Sequence, residues 1–189
     1  MVLVAPHGFF VPKVLAAAIT PDTAFVSSQL VNSEVGTIEP VREIAKLLRK
    51  QSKKILFHCD AAQAPLWVPI RVENLGADLV TLDAQKVLGP KGYGCLYFKR
   101  GKRREPQLRG GVQEFSLRAG TPNTPLCISF GVALNDAAQG IEERVAKTTA
   151  VRDLLWQEIK KQILDALFHG PPSADTRVAS NLSVAVPGL

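Results

Sequence analysis

Two short apolar runs, ILFHC at 55–59 and ADLVTL at 77–82, constrain this chain most, because each is almost unbroken and each ends in chemistry. The first runs into Asp60, and the second into Asp83 and then Lys86. Strands buried on both faces read as continuous apolar runs rather than alternating ones, the pattern of a parallel sheet covered by helices. In such a sheet the carboxyl ends of neighbouring strands open onto one crevice, so Asp60 and Lys86 can face a single ligand. A lysine so placed can form a Schiff base with an aldehyde cofactor, and a carboxylate opposite can hold that cofactor's ring nitrogen protonated.

The rest of the chain agrees with an α/β organisation. AFVSSQLV at 24–31 alternates and is rich in strand formers, and NSEVGTIEP after it is punctuated by Gly36 and Pro40. Pro40 suits a first helical position, and VREIAKLLRK then sets Val41, Ile44, Leu47 and Leu48 on one face with cations at its end. Beyond the Pro65 to Pro69 stretch, ADLVTLDA predicts a strand and GYGCLYFK another, parted by the turn-like GPKG. A second regime opens near Thr121 and reads as helical with few breaks to about Phe168, where HGPP stops it. Val151, Leu154, Leu155, Ile159, Ile163 and Leu167 recur at helical spacing, which predicts a core-facing stripe. The final NLSVAVPGL alternates like a strand. A parallel sheet of useful size needs more strand and helix units than these, so the expectation is a portion of a larger fold.

Composition narrows the class. With 46% hydrophobic and 21% charged residues in 189, the chain is expected to fold rather than remain disordered. Its start lacks the layout of a signal peptide and no run approaches ~18 apolar residues, so a cytoplasmic protein without a membrane span is expected. Cys59, Cys95 and Cys127 are widely spaced, and with only His7, His58 and His169 besides they predict neither a disulfide framework nor a metal site. The net charge of +6 is local: KRGKRREPQLR, Lys99 to Arg109, holds six basic residues against one acid. No aromatic residue interleaves with them, so a solvated turn is expected there rather than a nucleic-acid surface.

Five stretches in order, NSEVGT, HCDAAQAP, LDAQKVLGPKGYGCLYF, GGVQEFSLRAGT and GPP followed by NLSVAVPG, resemble the central part of a cysteine desulfurase. These are class V aminotransferase enzymes of pyridoxal-phosphate fold type I. The resemblance covers nearly the whole chain, and Asp-x-x-Gln, Lys followed by GPKG, and Arg-x-Gly-Thr are specific as an ordered set. It implies a partial cofactor-binding large domain over 1–140, with a mixed, mostly parallel sheet and flanking helices. Residues 141–189 would be a linking helix and the start of a small C-terminal α+β domain. It implies Lys86 as the lysine that carries pyridoxal 5'-phosphate covalently and Asp60 as the partner of the ring nitrogen. Gln63 would bond the ring hydroxyl, and Thr121 would reach the phosphate of a neighbouring subunit, making the intact protein a homodimer. Asn32 and Ser33 fill a pair that is usually Asn-Asn. The implied substrate is L-cysteine, converted to L-alanine while sulfur leaves as a persulfide for an acceptor or scaffold protein in iron-sulfur or thio-cofactor assembly. Two further readings from other classes are a class V aminotransferase or lyase without cysteine chemistry, and a non-catalytic interaction domain.

The departures from the family pattern are physical. Where the family commonly has Ser-x-His-Lys, this chain has Asp83-Ala84-Gln85-Lys86. Gln85 can still donate to a phosphate through its amide, but Asp83 would bring like charge toward it. At ~4 Å and an effective dielectric near 20, each unit-charge repulsion costs about 4 kcal/mol, so Asp83 must turn away, be protonated or be neutralised. The resemblance also places the phosphate-cup threonine, the ring-stacking histidine and the persulfide-forming cysteine in segments outside these residues. Cys59, Cys95 and Cys127 fall in strand-like or helix-start positions, where free cysteine behaves as a small inert hydrophobe.

Overall fold

The structure, a computed structural model, describes Ala5, residues 7–102 and residues 105–188. Its centre is a four-stranded sheet of spatial order β1-β2-β3-β4, formed by Phe25–Gln29, Leu56–Asp60, Leu79–Asp83 and Gly94–Phe98. The first three strands are parallel and β4 returns antiparallel, so the sheet is mixed and mostly parallel, as expected. Both apolar runs are strands whose acids, Asp60 and Asp83, are their last residues.

The crossover from β1 to β2 carries helix α2, Val41–Gln51, which follows the short α1, Pro12–Ala18. Helix α2 buries Val41, Ile44, Ala45 and Leu48 against the sheet, where Phe57, Cys59 and Val80 are fully enclosed. Leu47, expected on the same face, is only half-buried, and Pro40 stands one position earlier than expected, as the N-cap. Arg49 and Lys50 close the helix where its dipole favours cations. A four-residue helix, α3 at Val72–Leu75, precedes β3 and ends on Gly76 in the left-handed region.

One buried acid ties the amino ends of the strands together. Asp78, just before β3, accepts from Phe57 N–H at 2.9 Å and from Lys102 Nζ at 3.0 Å, and it is paired with Arg49 of α2. Its backbone extends the tie, since Asp78 N donates to Phe57 O at 2.7 Å and Lys99 N to Asp78 O at 2.8 Å. Burial alone would raise the Asp78 pKa, but the Phe57 N–H, Lys102 and Arg49 together hold it below the ordinary value. Lys99 to Lys102 thus form the turn expected after β4, while Arg103 and Arg104 of the basic segment lie outside the described residues.

The later helical region differs from expectation in two ways. It divides into α4, Thr124–Ala138, and α5, Ile141–Gln162, because Gly140 turns left-handed and Arg144 donates to the carbonyls of Gln139 and Ala137 at the end of α4. Leu167 and Phe168 are not helical but belong to β5, Leu167–His169, which pairs antiparallel with β6, Ser183–Ala185. The expected core stripe of α5 also faces outward: Val151 is 68% exposed and Leu154 58%. The helix is instead anchored through buried Arg152, which reaches Val178 O and Asp153, and through Trp156, whose ring lies 5.2 Å from that of Phe168. Among the described residues no helix is long and apolar enough to cross a membrane.

Candidate functional site

The carboxyl ends of the parallel strands bring Gln29, Asp60 and Thr81 side by side, since Gln29 pairs in register with Asp60 and Asp60 with Thr81. Asp60 shares a strand face with His58, opposite the buried Phe57 and Cys59, and is itself exposed. Its Oδ1 accepts from Ala62 N–H at 3.0 Å and from Thr81 Oγ1 at 3.2 Å, so the carboxylate is fixed from both strands. Below it, Ser27 Oγ lies 2.8 Å from His58 Nδ1, and the Phe25 ring stacks on the imidazole at 6.2 Å. Burial pushes the His58 pKa down, opposed by the Asp60 charge. Gln63 follows, half-buried, in a turn closed by Ala64 N donating to Ala61 O at 3.0 Å, with both alanines fully buried.

Lys86 sits on a 3-10 turn, Gln85–Val87, immediately beyond β3. Val87 is buried with Ala84, Phe130 and Ala137 in a second core, which roots the turn on α4 and leaves Lys86 and Gln85 exposed. Leu88 takes the left-handed conformation at φ 63, and Gly89 N donates to Ala84 O at 2.8 Å. A Cβ at Gly89 would lie 2.9 Å from that same oxygen, so closing the turn requires glycine. The GPKG after the lysine is therefore a structural lock on the turn that presents it.

Asp83 caps the lysine turn. Its Oδ1 accepts the Gln85 N–H at 2.8 Å, so the carboxylate is held by the backbone of the lysine turn.

Asn32 and Ser33 form a loop at the end of β1. Asn32 Oδ1 accepts from Glu34 N and Val35 N at 2.8 and 3.0 Å, shaping the loop itself, and Ser33 Oγ donates to Glu34 Oε1 at 3.3 Å. Thr121 lies on an exposed segment before α4, and no described bond joins it to Asp60 or Lys86. The loop before it makes a left-handed turn at Glu114, Phe115 and Ser116, with Phe115 91% exposed.

Three features escaped the sequence reading. Thr81 supports Asp60 across strands, a role that depends on register. Asn181 reaches the Ser33 and Glu34 carbonyls from the far end of the chain. Cys95 and Cys127 are exposed, whereas only Cys59 is enclosed, its thiol pushed up to about 12 first by burial and then by the Asp60 charge.

The residues present suit a pyridine aldehyde in their chemistry: a fixed, exposed carboxylate, an exposed amine on the turn beyond the next strand, and an amide between them in sequence. Toward its phosphate end they offer the exposed Gln85 amide, with the Asp83 carboxylate bonded to the Gln85 backbone N–H beside it.

Comparison with known proteins points the same way. The family model "Aminotransferase class-V" matches residues 2–189. A cysteine desulfurase IscS of Dictyoglomus turgidum is 37% identical over 177 residues, covering 94% of this chain and 44% of that protein. The cysteine desulfurase of Homo sapiens is 37% identical over 179 residues, covering 92% and 38%. Among solved structures, a NifS-like protein superposes with a TM-score of 0.94 at 31% identity, covering all of this chain and 50% of its own. SspA in complex with cysteine superposes at 0.74 and 30% identity, covering 97% and 49%. The chain thus spans half the length, or less, of these relatives.

Proposed function

The chain belongs to the class-V aminotransferase family, and from that premise we propose that it carries the central part of a cysteine desulfurase site. The cysteine desulfurases it resembles are pyridoxal-phosphate enzymes. The observation that carries the reading is the pairing of a doubly held Asp60 with an exposed Lys86 at the carboxyl ends of adjacent parallel strands.

Bound in this crevice, the cofactor supplies an electrophilic aldehyde and an electron sink. Lys86 would hold it covalently, and its amine would take and return the proton at the substrate's α-carbon. Asp60 keeps the ring nitrogen protonated, and its geometry is kept by Ala62 N–H and Thr81 Oγ1. Gln63 would bond the ring hydroxyl and Gln85 would donate to the phosphate, with Asn32 and Ser33 bordering the crevice from β1. Thr121 serves the phosphate of the neighbouring subunit in a homodimer. The substrate is L-cysteine, a choice supported by the relatives' activity and by the cysteine bound to SspA. The products are L-alanine and a sulfur atom passed to an acceptor or scaffold protein.

Among the described cysteines, Cys59 is unsuited to take the sulfur. Cys59 lies on the buried face of β2 with its thiolate disfavoured, and attack on sulfur needs a thiolate. The purified 189-residue chain is therefore expected to release little or no sulfide from cysteine while still taking up pyridoxal phosphate with a visible lysine-adduct absorbance. Absorbance titration and sulfide assay on one preparation test both statements. Loss of the adduct in Lys86→Ala supports the reading, and robust sulfide release or an undiminished adduct in that variant contradicts it.

A further inference from the structure

The loop that borders the crevice at the end of β1 is held from outside by residues far along the chain. Within the loop, Asn32 N donates to Thr37 O at 2.8 Å, Gly36 N to Asn32 O at 3.0 Å, and Asn32 Oδ1 gathers the Glu34 and Val35 N–H groups. A second segment then lies along it: Ile38 N donates to Thr176 O and Val178 N to Gly36 O, both at 2.8 Å. The side chain that completes this contact is Asn181, whose Nδ2 donates to Ser33 O at 2.9 Å and to Glu34 O at 3.2 Å.

The amide of Asn181 is oriented by its neighbours. Buried Arg177 donates through Nη1 to Asn181 Oδ1 at 3.3 Å and to Asn181 O at 3.2 Å, while its Nε donates to Pro171 O at 2.8 Å. The oxygen end of the amide therefore faces a cation and the NH2 end faces two carbonyls, which is the favourable assignment of the two ends. Close approach is built in: a Cβ on Gly36, at φ 75, would lie 2.8 Å from the Asn181 side chain. The segment that carries Asn181 thus meets the loop with no spare room, and the loop's shape depends on the donor that enters it.

We propose that Asn181 is a positioning residue that holds the Asn32–Thr37 loop in its crevice-facing shape, with Arg177 setting the direction of its amide. The consequence for cofactor binding rests on the function proposed above, whereas the effect on the loop does not. Asn181 touches neither Asp60 nor Lys86 through any described bond; it acts through the Ser33 and Glu34 carbonyls.

The test uses Asn181→Asp, which keeps the shape but replaces the donor by an acceptor facing two carbonyls, and Asn181→Ala, which removes the group. Hydrogen exchange on the full chain reads the Glu34, Val35 and Gly36 amides, with the Phe57 and Cys59 amides of β2 as the internal reference. Both variants are expected to exchange about tenfold faster or more in the loop, with the β2 amides within about twofold of the parent. Titration with pyridoxal phosphate is expected to give a Kd about tenfold higher with the same lysine-adduct absorbance at saturation. Unchanged loop exchange in both variants overturns the proposal, as does a loosened loop with unchanged cofactor affinity. If the parent chain takes up no cofactor, the functional reading fails, and the exchange result by itself decides the role of Asn181.

Discussion

At Asp60 a single carboxylate is fixed by one donor from its own turn and one from the next strand, and that double hold sets what its neighbours are worth. Asp60→Asn keeps the shape and removes the charge, so it loses a charge-assisted bond to a protonated ring nitrogen worth about 1.5–3 kcal/mol, or roughly 10- to 100-fold in pyridoxal-phosphate Kd. Thr81→Val removes only a supporting neutral donor and is expected to raise that Kd by about 2- to 10-fold, read in the same absorbance titration. Asp60 and Lys86 were legible because each ends an apolar run, but Thr81 was not, because register between strands leaves no mark in one strand's sequence. The bond from the Gln85 N–H to Asp83 was likewise not legible, because it depends on the turn the backbone makes there. Glu39 is a separate case. It is buried, its Oε2 accepts from Phe10 N at 3.0 Å, and its Oε1 has no partner among the described residues. Burial raises its pKa above 4.5 against the Phe10 bond, so its favourable contribution is full below pH 4.5 and is lost as pH rises through the folded value. Glu39→Gln is therefore expected to match the parent in denaturant midpoint near pH 4 and to exceed it at pH 8.

At the level of elements, the Asp78 hub joins α2, β2, β3 and the turn after β4 at the end of the sheet opposite the crevice. Asp78→Ala leaves the Arg49 charge and the Phe57 N–H without their acceptor, a loss of about 3–5 kcal/mol for breaking a buried pair. Urea unfolding at pH 7 checks it. Because the Asp78 pKa is held low, its contribution is present above about pH 4 and is lost only as pH falls through the folded value, the reverse of Glu39. The strands and α2 could be read from periodicity because their apolar faces meet one contiguous core. Helix α5 could not: its periodic stripe is real, yet the helix is oriented by Arg152 and Trp156, residues that no hydrophobic pattern marks as inward. The chain turns at Gly140, and the cation that closes α4 comes from the next helix.

At the scale of the whole molecule, one crevice edge is shaped from both ends of the chain. The loop after β1 is held by residues 176–181, and the lysine turn is rooted on α4. The chain spans half or less of the length of its relatives, and Asp60 and Lys86 are the residues proposed to capture the cofactor. The central claim is that Lys86 carries the cofactor, and it is tested most directly by incubating the chain with pyridoxal phosphate, reducing with borohydride and mapping the peptides by mass. The account predicts the reduced label on Lys86, with the peptide bearing Lys91 unmodified at that lysine. A label absent from Lys86, or found equally on Lys91 and the other exposed lysines, contradicts it.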